Sequence, residues 1–280
     1  MVTMKTLSNS KGISLVILIV AMTLITILGV SFVSIMASKQ KGFLYQIDSY
    51  RALNLANAGV EYAIRYASEG LDSNGDSILF SDQDLSTLGR SLGGGTFSID
   101  YAYSQTIDTD RITVTGTYGS SSRRVRLSRF RRYLSPLTLV PSAAPQRNGA
   151  QTIIPVICNN ENNVTVNLIN LTVNASGAHL QQIQAVTAIS SSIVFDFNDN
   201  LFPPCSAPPS PPCQDTSGIL LPNGISVPFS TANGLHPHTI RADDILNYYL
   251  LFSDASPNGR YAFTLTTATP AVESIIVFHP

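Results

Sequence analysis

The chain has 280 residues, 12% charged and 44% hydrophobic, with a formal net charge of −1 and no tryptophan. That charged share is about half the usual quarter, which fits an exported, low-charge protein with room for two modest cores. The near-neutral total hides a division: residues 13–147 carry thirteen basic and ten acidic side chains, a net of +3, whereas residues 148–280 carry two arginines against eight acids, a net of −6.

The leader MVTMKTLSNSKG is polar, carries Lys5 and Lys11 and ends in Gly12; residues 13–37 then run without one ionisable side chain. As a helix they reach about 37 Å, enough to cross a bilayer core of about 30 Å. A secretory signal has a shorter apolar core with its cleavage site beyond it, whereas here the candidate processing point, Gly12, lies before the span. Lys39 and Lys41 follow the span, so flanking charge leaves its orientation open.

Beyond the span, Leu44, Ile47, Ala52, Leu55, Ala56, Gly59, Val60, Ala63 and Ala67 recur mostly at spacings of three and four, with Asp48, Arg51, Asn54, Glu61 and Arg65 mainly off that stripe. This predicts an amphipathic helix packed on a globular head. No proline interrupts residues 13–69, so one continuous helix of about 85 Å is expected, with Gly29 and Gly42 as weak points and Gly70 as its C-cap. The alternative is two helices parted near Gly42.

Lys11-Gly12, the uncharged span and YRALNLANAGVEYAIRYASEG together resemble the class III signal and N-terminal helix of type IV pilins, and among them most closely the minor pilins of the PilX type. The resemblance covers about the first 70 residues well and the next strands loosely. It implies that residues 1–12 are a leader, that a prepilin peptidase cuts between Gly12 and Ile13 on the cytoplasmic side, and that the new N-terminus is methylated. Residues 13–37 would then hold the chain in the inner membrane as a single pass, with its bulk outside, until it joins other pilins in an extracellular fimbrium. Major pilins carry a glutamate as the fifth residue after the cut; here Ile17 holds that place. In those pilins the carboxylate meets the α-amine of a neighbouring subunit, and a buried charge left unpaired costs several kcal/mol. The resemblance therefore implies a minor subunit near the tip, with a part in starting assembly or in cell adhesion. An adhesin carried on a pilin stalk, touching a host or surface ligand, and a pseudopilin of a type II secretion system are the alternatives.

Residues 71–95 read as a polar connection. Asp72, Asn74 and Asp76 stand at positions one, three and five of a calcium-type loop, but position twelve is Gln83, flanked by Asp82 and Asp84. An Asx-rich turn is the plainer reading, and calcium is the one cofactor this stretch would suit. Strands are predicted at 96–103, 111–117 and 123–130, an antiparallel meander against the helix that completes a head over residues 38–140. Arg123, Arg124, Arg126, Arg129, Arg131 and Arg132 crowd its last strand. Such a patch suits phosphate of DNA or lipid, while alternation with Val125 and Leu127 suits a solvated, charge-protected edge. No aromatic ladder or recognition helix supports specific nucleic-acid readout.

PSAAPQRNGAQ at 141–151 reads as a linker. Residues 152–280 read as an all-β domain, with strands at 164–173, 192–197, 247–252, 260–267 and 273–279, and an immunoglobulin-like sandwich is expected. The fold class expected is thus α+β. LFPPCSAPPSPPC at 201–213 must be an exposed loop because its prolines forbid regular structure. Cys205 and Cys213 are disulfide candidates that would close it, although either could pair with Cys158 instead. His238 with Asp243 or Asp244 offers a second set of metal-type side chains, and no motif of an enzyme is found.

Overall fold

The computed structural model describes residues 10–71, 76–77, 89–104, 107, 109–141, 143–188, 190–199, 202–206, 211–269 and 271–280, with the side chains of residues 10–14 and 69 left aside. The fold is α+β: one long N-terminal helix, then antiparallel sheets.

Helix α1 (Ser10–Glu69) is a single element of 60 residues, about 90 Å long, and does not break at Gly42. Gly70 ends it by donating its N–H to the Tyr66 carbonyl at 3.0 Å. Its distal half is buried along Ala52, Leu55, Ala56, Ala63 and Ala67, the small-residue stripe. These residues face a four-stranded sheet, β1 (Arg90–Leu92), β2 (Gly95–Ala102), β3 (Arg111–Tyr118) and β4 (Ser121–Ser128), in that order. Phe97, Ile99, Tyr101, Ile112 and Val114 complete the core with Phe130 and Leu134. Small residues let the two surfaces meet closely: a Cβ on Gly116 would lie 2.1 Å from the Ala52 carbonyl oxygen, and one on Gly59 2.5 Å from Val114.

The third strand ends earlier than its sequence suggests. Arg129 adopts the left-handed conformation (φ 57°), and the chain turns into a short 3-10 helix, Phe130–Tyr133.

Thirteen further strands follow: β5 (Leu137–Leu139), β6 (Gln146–Asn148), β7 (Gln151–Cys158), β8 (Val164–Val173), β9 (His179–Val186), β10 (Ser191–Asp196), β11 (Cys213–Asp215), β12 (Gly218–Leu220), β13 (Val227–Ser230), β14 (His238–Ile240), β15 (Ile245–Phe252), β16 (Tyr261–Thr267) and β17 (Glu273–Phe278). One sheet runs β11-β12-β9-β15-β7-β5, with β10 on β9 and β6 on β7; the other runs β13-β8-β16-β17, with β14 on β8. Their inward residues, such as Ile154 and Tyr248 from the first and Ile169 and Phe263 from the second, belong to one continuous core. Residues 141–151 are not a free linker: Gln146–Asn148 pairs back on β7 across a turn at Gly149, whose φ of 60° suits glycine. The chain passes from one core to the other at residues 134–137 instead.

Candidate functional site

The N-terminal half of α1 stands bare. Large apolar side chains from Leu15 to Met36 are all more than half exposed, Ile17 at 63% among them. It is the one helix among the described residues long and apolar enough to cross a membrane. Three of its hydroxyls are satisfied from within: Thr23, Thr26 and Ser31 donate to the carbonyls of Ile19, Met22 and Ile27 at 2.5, 2.7 and 2.8 Å. A helix that satisfies its own polar groups is suited to hydrocarbon. Gly12 and Ile13 lie in the first turns of α1, in uninterrupted helical backbone.

The six arginines of the basic run have different fates. Arg131 is fully buried, 3.7 Å from the equally buried Asp110 carboxylate, with its backbone N–H on the same carboxylate at 3.1 Å, an Nη2 bond to the Ser104 carbonyl at 2.9 Å and its guanidinium over the Tyr103 ring. Tyr101 also donates to Asp110 at 2.8 Å. Burial pushes the Asp110 carboxyl above its ordinary range, against the hydrogen bond from Tyr101 and the charge of Arg131. Arg132 reaches the other way, to the Asn159 carbonyl at 3.1 Å and Asp243 at 3.0 Å. Arg129 faces Glu161 at 4.0 Å and Arg123 donates to Ser49 at 2.6 Å. Only Arg124 and Arg126 of the run remain on the open sheet surface, both exposed. The run therefore does not form one patch, because the turn at Arg129 ends the strand alternation.

Arg131 and Arg132 fasten the junction between the two cores. A second attachment lies at the far end of the chain: Ser77 donates its N–H to Val277 at 2.6 Å and accepts from Val277 at 2.8 Å, and His279 meets Asp76 at 2.7 Å. Asp72, Asn74, Asp82 and Asp84 lie outside the described residues, so of the calcium-type loop only Asp76 is placed, beside His279.

Cys205 and Cys213 are joined by a disulfide, while Cys158 is buried and free. The joined loop is also held by Cys205 donating to the Gln214 carbonyl at 2.9 Å and Gln214 to that of Pro203 at 2.8 Å. His238 is not brought to Asp243 or Asp244 as a ligand set. It bonds the buried Tyr248 hydroxyl at 2.6 Å, and burial lowers its pKa to about 4, so the imidazole is neutral and structural. Among the described residues no group of three or more His, Cys, Asp or Glu is placed to hold a metal.

Sequence reasoning missed Arg111. It is exposed on β3, and register sets it opposite Ser128, one step from Arg126; only the β3–β4 pairing reveals this. Compared with known proteins, the chain matches no family model and no curated protein.

Proposed function

We propose that the chain is a minor subunit of a type IV pilus, of the PilX type, present in few copies at or near the filament tip. Its work is mechanical. The apolar half of α1 holds it in the inner membrane, a prepilin peptidase frees Ile13, and assembly exchanges lipid for the helices of other pilins. The observation that carries this reading is the division of one unbroken 60-residue helix: its first half is bare and apolar, and its second half is buried by small residues against a short antiparallel sheet.

The outer body is read as an immunoglobulin-like sandwich displayed from that stalk. Two facts support this. The order β5-β7-β15-β9 corresponds to strands A, B, E and D of the constant-type domain, and β8-β16-β17 to C, F and G. Tyr261, at the start of the F position, donates its hydroxyl to the Pro257 carbonyl four residues upstream at 3.0 Å, the arrangement of a tyrosine corner. Tyrosine 261 is fully buried, and burial pushes its pKa up to about 12, so the hydroxyl remains a donor at all physiological pH. The inter-sheet disulfide and tryptophan of antibody domains are absent; Tyr248 and Phe263, stacked edge to face at 5.1 Å, fill the centre.

Copy number tests the filament reading. With Ile17 in place of a carboxylate, each added copy would leave a neighbour's α-amine unpaired in an apolar core, at several kcal/mol. Quantitative mass spectrometry of sheared filaments should find the protein far below the main subunit, and deletion should reduce filament number or adhesion without altering the shaft. Equal abundance would overturn the assignment.

A further inference from the structure

The head sheet carries a second surface, opposite the face that packs on α1. Its outward residues form cross-strand rows: Ala102–Arg111–Ser128, Asp100–Thr113–Arg126, Ser98–Thr115–Arg124 and Thr96–Thr117–Ser122. Arg111, Arg124 and Arg126 are all exposed, and no described residue gives any of them an ion pair or side-chain hydrogen bond. Hydroxyl side chains fill most of the remaining places. Among the described residues Asp100 is the one carboxylate on the face, two strands from Arg126, about 10 Å away.

Edge protection does not account for the set. It explains cations on β4, the outermost strand, but Arg111 belongs to β3, which is paired on both sides. Arg124 and Arg126 lie two residues apart, about 7 Å, and Arg111 lies one strand over and two residues along, about 8 Å from Arg126. Three guanidiniums at that spacing, each able to grip a phosphate with two donors, suit a polyanion with regularly repeated charge.

We propose that this face binds the phosphodiester backbone of double-stranded nucleic acid, without reading its sequence. Among the described residues the face has no aromatic side chain on which a splayed base could stack and no helix to enter a groove. Backbone contact is what remains. An anionic membrane surface fits less well. The sheet meets α1 at Ala52 and Ala56, some 22–29 Å of helix beyond Ala37, several times the screening length of about 8 Å at physiological salt. The inference stands apart from the filament assignment, since it needs only the head sheet.

The test uses the full chain in neutral detergent micelles and a fluorescent random-sequence duplex of about 30 base pairs, titrated by anisotropy at several salt concentrations. Three phosphate contacts give a slope of log K against log salt of about −2.7, independent of sequence. Arg111→Gln should reduce the slope to about −1.8, and the double change Arg124→Gln with Arg126→Gln to about −0.9, with roughly tenfold weaker binding per arginine at low salt. Arg123→Gln, on the same strand but facing Ser49, should leave both unchanged. The proposal is overturned by no binding at low salt or by an equal loss in the Arg123→Gln variant. Binding to phosphatidylglycerol vesicles or polyglutamate at least as tight as to the duplex, with the same arginine dependence, would assign the face to a lipid surface or an acidic protein instead.

Discussion

Replacing Arg131 by methionine is expected to cost about 3–5 kcal/mol of stability, because it leaves a buried carboxylate without its cation. Arg131 and Asp110 both have no exposed surface. Asp110 also accepts the N–H of Arg131 and the hydroxyl of Tyr101 and, through its backbone carbonyl, the N–H of Arg129 at 2.6 Å. The pair thus sets the turn that carries the chain from the helix–sheet head into the outer sheets. The loss should depend on pH with a definite sign. Burial raises the Asp110 pKa in the fold above its unfolded value, so the folded state holds the proton more tightly and stability falls as pH rises through that interval. Without Arg131 the interval widens upward, so the penalty measured by thermal unfolding should be smaller at acid than at neutral pH. A penalty independent of pH would mean that Asp110 is already neutral beside Arg131.

Gly116→Val should be nearly as damaging, by about 3 kcal/mol, for a reason of shape. The added Cβ would meet the backbone of one turn of α1, the Ala52 carbonyl oxygen at 2.1 Å and the Ala56 nitrogen at 2.5 Å, and backbone cannot swing aside as a long side chain can. The helix must lift from the sheet, uncovering Phe97, Ile112 and Val114. Gly42→Ala is the matched control: nothing lies within 4 Å of its Cβ position, so it should stabilise the helix by about 1 kcal/mol. Thermal unfolding of the full chain in detergent, followed by circular dichroism, compares the two. Equal effects would mean that the close helix–sheet approach is not where the head's stability lies.

The parts of this fold legible in the sequence are those with a clean period or an unbroken apolar run. The span of α1 shows as an unbroken apolar run and its small-residue stripe repeats at three and four, and the strand at 164–173 alternates strongly enough that β8 has those bounds. The strand β7 was hidden for two reasons. Its last five residues, Val156–Cys158 among them, are buried on both faces and so do not alternate, and Pro155 argues against a strand while its carbonyl serves Val140 at 3.1 Å. Paired glutamines blur the alternation in β9, where Gln181 and Gln182 stand side by side. The arginine run shows the other limit: clustering is visible in one dimension, but direction is not. A single left-handed residue, Arg129, sends Arg131 and Arg132 inward, and strand register alone brings Arg111 to the face that Arg124 and Arg126 share.

The central claim, a subunit released from its leader at Gly12 and held by the bare half of α1, is tested most directly by the N-terminus of the mature protein. Intact-mass spectrometry of the protein from its native membrane should give a chain beginning at Ile13, with or without one added methyl group. A mass that retains residues 1–12, or a chain beginning beyond Ala37, would contradict the account, the first by making the span a plain anchor and the second by making it a discarded signal.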